Sequence, residues 1–166
     1  MQKLGISALL VLAIVVGAPA SALRGVEPGA TCQGAAKIEA ELGSIQRRET
    51  PKSVWFDGQH LGHKVLIGYT CEAGVIVAQL ISFKFTSEQE AMLSFADVKR
   101  SLTSDFGSAS NDADPNTISA MQRESSTTQI TGLPVQRFAT WVIDQRVVSL
   151  MLSGRKDSWE LIVQGP

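Results

Sequence analysis

Two stretches of this chain carry apolar residues at helical spacing, and runs of β-prone residues follow each of them. In the first stretch, residues 32–42, the side chains of Ala35, Ile38 and Leu42 fall on one face of a helix. Gly43 then supplies a C-terminal stop. We expect this short amphipathic helix to cover one face of a sheet formed by the strands that follow it.

The second helical stretch begins with a capping signal. Ser87 is followed three residues later by Glu90, an arrangement in which each side chain can satisfy the backbone N–H of the other residue. An apolar stripe then follows one helix face and ends before Gly107. Its members recur at intervals of three or four residues: Ala91, Phe95, Val98, Leu102 and Phe106. The sequence predicts a longer helix that packs on the same sheet.

The segments between and after the helices have the composition of strands. Residues 53–85 contain three β-prone runs, with a turn that begins at Asp57 and Gly58 and could extend through Gly62, and a tight connection at residues 72–74. Three or four further runs follow near the C-terminus, the first at residues 117–123. The polar segment between them and the second helix, residues 108–116, is expected to be a surface loop. We therefore predict an α+β fold, with two helices on one face of an antiparallel sheet of about six to seven strands.

The N-terminus has the pattern of a secretory signal peptide. Lys3 precedes an apolar stretch at residues 4–16, and the segment ends in the small-x-small pattern Ala-Ser-Ala. The apolar stretch is shorter than the ~18 residues of a membrane-spanning helix. We predict a signal peptide at residues 1–22 and a single exported domain, periplasmic or secreted, at residues 23–166. An uncleaved membrane anchor is the alternative.

The chain has two cysteines, Cys32 and Cys71. In an exported protein, two cysteines most simply form one disulfide bond, and we predict that bond here. A catalytic or redox thiol is the alternative, but such a thiol usually has a close CxxC partner or a histidine beside it. The wide separation of the two cysteines favours the disulfide.

The charge balance limits the possible partners. Fifteen basic and sixteen acidic residues give a formal net charge of −1, and the basic residues form no block. Binding to nucleic acid requires clustered Lys and Arg to neutralise phosphates, so we predict no nucleic-acid partner. We also expect no stable membrane anchor once the signal peptide has been removed.

The two halves of the chain resemble each other. Each has a helix that ends in an apolar residue followed by Gly-Ser, at residues 42–44 and 106–108, and then an aromatic-bearing strand, a tight turn and a Val-rich strand. Residues 69–71 and 138–141 are the two aromatic segments in this comparison. A tandem α-β-β-β repeat that shares one sheet is one interpretation. Coincidence of common strand compositions is the other.

This arrangement resembles the tandem fold of the β-lactamase-inhibitor proteins. The single unit is also similar to the small outer-membrane assembly lipoproteins of the SmpA/OmlA type, although this chain lacks a cysteine at the predicted cleavage point. The resemblance covers most of residues 31–164 as architecture, and no inhibitory contact residue can be transferred by position. It implies a protein-binding module.

Candidate chemical groups are few. His60 and His63 form an H-x-x-H pair that could hold a metal if a third ligand such as Asp57 joined them, but a solvated turn explains the segment as well. Glu39 and Glu41 are two residues apart on the first helix and face apart. Acyl transfer needs a nucleophile beside a base, and the sequence contains no motif for such a pair. It also contains no motif for phosphate or dinucleotide binding. We therefore assign no catalytic residue, no metal ligand and no cofactor.

The aromatic residues are the remaining candidates for a binding site. Trp55 and Phe56 are adjacent on a predicted strand and therefore point to opposite faces, so that one of them can be an exposed interface anchor. The alternative places Trp55 in the core at a sheet edge. Trp141 and Trp159 alternate with apolar residues and are expected in the core.

We predict a non-enzymatic exported protein that binds or inhibits another envelope or extracellular protein, with Trp55 and Phe56 as the candidate contact residues. A small periplasmic hydrolase whose site the sequence does not reveal is one alternative, and an envelope assembly accessory protein is another. Paired carboxylates for glycoside hydrolysis also stay open, because sequence alone does not show which carboxylates converge.

Overall fold

The computed structural model of the chain describes residues 23–27, 29–114 and 133–166. Its two α-helices are α1, Cys32–Glu41, and α2, Glu88–Phe106. A single 3₁₀ turn, Leu23–Gly25, precedes α1. The side chain of Ser87 accepts a hydrogen bond from the Glu90 backbone N–H at 3.4 Å, and Gly107 ends α2 with a φ of 81°. Both helices predicted from the sequence are confirmed.

In the described parts of the chain, eight strands form one sheet in which all neighbours are antiparallel. In chain order they are β1 Ile45–Thr50, β2 Ser53–His60, β3 His63–Glu72, β4 Val75–Phe85, β5 Asn111–Ala113, β6 Val135–Ile143, β7 Arg146–Arg155 and β8 Ser158–Gly165. Their order across the sheet is β1-β2-β3-β4-β8-β7-β6-β5. The α+β class is confirmed, but the strand count is eight, and four described strands follow each helix in place of three.

The two unpredicted strands, β1 and β5, lie at the edges of the sheet. Five of the six residues of β1 are exposed, so it lacks the alternation of apolar and polar residues that marks a half-buried strand. β5 has three residues and lies in the polar segment 108–116, which we expected to be a loop. Both segments are strands because a neighbouring strand offers them backbone hydrogen bonds, which their own composition does not reveal.

Both helices lie on the same face of the sheet. A ladder of paired residues crosses six strands, and each of them is at most 2% exposed: Phe56, Ile67, Ile81, Val163, Leu150 and Ala139. Tyr69, on the same side of β3 as Ile67, contacts α1, and His63, also on that side, contacts α2. Trp141 and Trp159 are 1% and 5% exposed, so their predicted place in the core is confirmed.

The predicted turn between β2 and β3 begins too early, at Asp57 and Gly58, although its extent through Gly62 includes the observed turn. β2 continues to His60, and the hairpin turn is formed by Leu61 and Gly62, whose φ angles are 49° and 81°. Positive φ at both central residues matches the right-handed twist of the two strands. Gly58 serves packing: a Cβ atom there would lie 2.6 Å from Cδ1 of Ile67.

The predicted disulfide bond between Cys32 and Cys71 is present, with the two Cα atoms 6.4 Å apart. It joins the first residue of α1 to β3. The segment before α1, which begins at Leu23 and is called the leader below, also pairs with the sheet. The Ile76 backbone N–H donates to the Ala30 carbonyl at 2.8 Å, and the Cys32 N–H at the start of α1 donates to the Gly74 carbonyl at 3.0 Å. The disulfide bond therefore fastens the start of α1 beside the β3–β4 hairpin.

Alkylation of the unfolded protein tests this bond. Without a reductant, we expect the intact mass to show no alkyl label, because both sulfur atoms are engaged. After reduction, the mass should show a label on Cys32 and on Cys71. Labelling of both residues in protein that was unfolded but not reduced would contradict the pairing.

The predicted signal peptide at residues 1–22 and the predicted strand at residues 117–123 lie outside the described residues. Among the described helices, none has the length and hydropathy needed to cross a membrane.

Candidate functional site

The face of the sheet opposite the two helices is called the open face below. Two pairing ladders bring its apolar side chains together. One ladder joins Leu66 on β3, through Ser82 and Ile162, to Met151 and Phe138 on the far half of the sheet. The second joins Trp55, through Gly68, to Leu80 on β4. Of these apolar side chains only Ile162 is buried, and the others are partly accessible to solvent.

Trp55 is held in one position on the open face. Its six-membered ring lies against the backbone of Gly68 on β3, where a Cβ atom would be 2.5 Å from Cζ3 of the indole. The indole N–H donates to Oγ of Ser53 at 3.1 Å, and the side chain stays half-buried. A rigid, partly exposed aromatic ring of this kind loses little conformational entropy when a partner binds.

Trp55 and Phe56 lie on opposite faces of β2, as the alternation predicts. Phe56 points to the helix side, where it is 2% exposed and packs edge-on against Tyr69 with ring centroids 6.1 Å apart. It is therefore inaccessible to a partner in this structure. Of the two candidate contact residues, Trp55 alone has an accessible surface.

Charged residues surround the apolar part of the open face in its first half, β1–β4. Arg47 and Asp57 form an ion pair at 3.2 Å, and both side chains are mostly exposed. Lys64 and Lys84 are exposed on neighbouring strands. A shallow depression of about 680 Å³ is lined by these four residues together with Leu66. This half of the open face combines apolar contact area with charges at its rim, as protein interfaces do.

His60 and His63 do not form the solvated turn that we expected. They are the paired residues that close the β2–β3 hairpin, and both are half-buried on the helix side. Each ring packs edge-on against Phe83 at a centroid distance of 6.0 Å. Burial, followed by the nearby positive charge of Arg24, lowers the pKa of His60. These histidines belong to the packing around Phe83.

A metal site at these histidines has no support among the described residues. Asp57, the third ligand considered above, points to the open face, away from the two histidines. The described part of the chain contains no cluster of three or more His, Cys, Asp or Glu side chains suited to a metal ion.

His63 also contacts a serine on α2. Its Nε2 atom lies 3.3 Å from Oγ of Ser94, and both residues line a depression of about 710 Å³ together with Asp97. Ser94 is only 4% exposed, and the Asp97 carboxylate accepts a hydrogen bond from Arg100 at 2.9 Å. In the described residues, therefore, no carboxylate hydrogen-bonds to His63 as the orienting group of a catalytic triad would.

A buried ionic network under α1 is the feature that sequence reasoning missed. The Glu39 carboxylate is 0% exposed and accepts two hydrogen bonds from Arg24, at 2.8 and 2.9 Å. It also accepts hydrogen bonds from the Tyr69 hydroxyl at 2.5 Å and from the Ser44 hydroxyl at 2.6 Å. Arg24 in turn donates to the Gln59 carbonyl at 2.7 Å. The network joins the leader to α1, β2 and β3.

The network keeps Glu39 ionised. Burial alone would raise the pKa of the Glu39 carboxyl, but hydrogen bonds from Arg24, Ser44 and Tyr69 and the charge of Arg24 outweigh it, so that the pKa is lowered. Burial and the hydrogen bond to Glu39 raise the pKa of the Tyr69 hydroxyl, which therefore stays protonated and donates. Both carboxylate oxygens of Glu39 accept hydrogen bonds, and neither is accessible to solvent. We therefore assign this cluster a structural role.

The sequence contained one signal for this network. Glu39 lies four residues after Ala35, and these two are the buried residues of α1, whereas Leu42, which we expected on the buried face, is 55% exposed. The helix is therefore rotated relative to the face that we predicted. An acidic residue at helical spacing from a buried alanine was the available clue.

Comparison of the chain with protein-family models, with characterised proteins and with solved structures returned no match.

Proposed function

We propose that this protein is a non-enzymatic exported module that binds, and by binding inhibits or positions, another protein of the envelope or extracellular space. The observation that carries the proposal is the position of Trp55 on the open face, where its ring packs on Gly68 and its indole N–H donates to Ser53. Trp is enriched among the residues that dominate binding energy at interfaces. The half-buried Leu66 and Leu80 beside it extend the apolar contact area.

We further propose that the two halves of the sheet are a tandem repeat of one helix and four strands. The number of residues from Leu61 to Asp144 equals the number from Ala73 to Lys156. All four are turn residues with φ angles between 48° and 53°. Strands β3 and β7, each ten residues long, are then equivalent. The alignment of the two halves made from sequence, residues 69–71 with 138–141, instead matched β3 to β6. These two strands do not occupy equivalent positions in the sheet.

The repeat adds an argument for the open face. The interval that relates the turns also relates Trp55 to Phe138, and their ladder partners are Gly68 and Met151. An aromatic side chain therefore occupies the equivalent position in each half of the open face. This arrangement supports our proposal that the chain shares the tandem architecture of the β-lactamase-inhibitor proteins, with a partner that contacts both halves.

A disulfide bond supports export, because such bonds persist in oxidising compartments. In our proposal the protein acts in the periplasm or after secretion, following removal of residues 1–22.

A hydrolase is the second candidate function, favoured by the contact between Ser94 and His63.

The binding module and the hydrolase differ in what they require of Ser94 and His63. In a binding module, changing both to alanine leaves affinity for a partner captured from an envelope extract within a few fold of wild type. Changing His63 to alanine also removes an imidazole ring that packs against Phe83, so the thermal stability of the double variant is measured in parallel. Loss of function in the folded double variant, with labelling of Ser94 by a fluorophosphonate in the wild type, would favour the hydrolase.

A further inference from the structure

Two lysines lie next to each other on the open face. The pairing of Val65 with Phe83 places Lys64 and Lys84 next to each other on β3 and β4, and both are exposed. Neither lysine forms an ion pair with any described residue. Like charges opposite each other on adjacent strands destabilise a sheet. Packing of the fold therefore does not require two lysines side by side at this place.

One carboxylate lies on the same ladder as the two lysines. Lys84 pairs with Glu160 on β8, and a Glu160 carboxylate oxygen accepts a hydrogen bond from the Ser82 hydroxyl at 2.6 Å. On the other side, Lys64 pairs with the uncharged Gln59. Two ammonium groups beside one carboxylate leave an excess positive charge that an anion supplied from outside could balance.

The rest of the first half of the open face is also basic. Arg48 pairs with Trp55, and Arg47 is bound to Asp57 at 3.2 Å. Four cations of this half-face, the two arginines and the two lysines, therefore outnumber its carboxylates Asp57 and Glu72, in a chain whose formal net charge is −1. The apolar side chains of Trp55, Leu66 and Leu80 lie among these cations.

We propose that the partner presents an acidic, apolar-containing segment to this half-face. A partner carboxylate lies between Lys64 and Lys84, and an apolar side chain beside it covers Leu66 and the ring of Trp55. This inference rests on the proposed function and adds the chemistry of the partner. An apolar centre with Asp57 and Glu160 on the same face fits a protein segment better than a uniformly anionic lipid surface.

The test uses NMR titration of the oxidised protein, residues 23–166, with a synthetic peptide of alternating glutamate and tyrosine. We expect shifts of the Trp55 indole N–H and of the Lys64 and Lys84 amides, with none on the outer surface of α2. Affinity should fall about tenfold in Lys64→Glu and in Lys84→Glu, because an attraction becomes a repulsion. It should also weaken as salt is raised.

The matched control is Lys37→Glu, an exposed lysine on α1 whose exchange alters the total charge equally. It should leave peptide affinity unchanged within twofold. A peptide of alternating lysine and tyrosine should not bind. Equal affinity of the acidic peptide for all variants would overturn the inference, and so would binding of phosphatidylglycerol vesicles in place of the peptide.

Failure of this inference is distinguishable from failure of the proposed function. If Trp55→Ala abolishes binding of a purified partner while the lysine reversals have no effect on it, the open face binds a partner of different chemistry. If neither change matters, the open face is not the binding surface.

Discussion

Replacing Glu39 with alanine should lower the free energy of unfolding by about 3–5 kcal/mol, the cost of leaving one member of a buried ion pair without its partner. The Arg24 side chain is 5% exposed, so its guanidinium would lose its counter-charge without regaining water. The hydroxyls of Tyr69 and Ser44 would each lose their acceptor as well. Urea unfolding followed by Trp fluorescence measures the effect.

The matched control is Lys37→Ala on the exposed surface of the same helix, which should change the free energy of unfolding by no more than about 0.5 kcal/mol. Double-mutant cycles identify the coupling. With Arg24→Met and Glu39→Leu combined, we expect a smaller loss than the sum of the single losses, because neither charge is then buried alone. Simple additivity would show that the two side chains act independently.

The network also makes the folded protein less stable at acidic pH. Because the folded-state pKa of Glu39 is lowered, the unfolded chain binds more protons than the folded one near and below the usual pKa of a glutamate. The stabilisation is present above that pKa and is lost as pH falls through the folded value. Glu39→Gln should remove this part of the acid dependence, which unfolding curves between pH 7 and pH 3 will show.

Replacing Trp55 with alanine should weaken partner binding by about 2–4 kcal/mol, the loss typical of an aromatic interface anchor. The change removes an apolar surface and a ring whose position is already set by Gly68 and Ser53. Affinity for a partner captured from an envelope extract and then purified is measured by calorimetry.

Two further variants separate binding from folding. Gly68→Ala keeps Trp55 but places a Cβ atom where the indole lies, so it should also weaken binding by displacing the ring. Leu93→Ala removes an apolar side chain that is 61% exposed on α2 and should leave affinity unchanged. If Trp55→Ala lowers the melting temperature but not the affinity, Trp55 serves the fold and the proposed anchor is wrong.

Local patterns predicted much of the architecture. The helical stripes and the capping serine gave both helices, and alternation in strands such as β8 placed Trp159 correctly in the core. Local patterns failed where tertiary contact decides. β1 and β5 are strands through pairing with a neighbour, and Gly58 sits inside a strand because Ile67 leaves no room for a side chain. Glycine signals a turn and a close approach equally well in sequence.

The candidate site was predictable only in part. Alternation alone placed Trp55 and Phe56 on opposite faces, but it did not reveal which face the helices cover. The Glu39 network joins the leader, a helix and two strands, so no local window contains it. Lys64 and Lys84 become neighbours only through the register of β3 and β4.

Photo-crosslinking of the oxidised protein to its purified partner tests the central claim, that the open face is the binding surface. A benzophenone amino acid is placed at Thr70, which is exposed on the open side of β3, and in a separate sample at Leu93 on the outer surface of α2. Our proposal predicts a crosslinked complex from position 70 and none from position 93. Crosslinking from position 93 alone would contradict the proposal and move the binding surface to the helices.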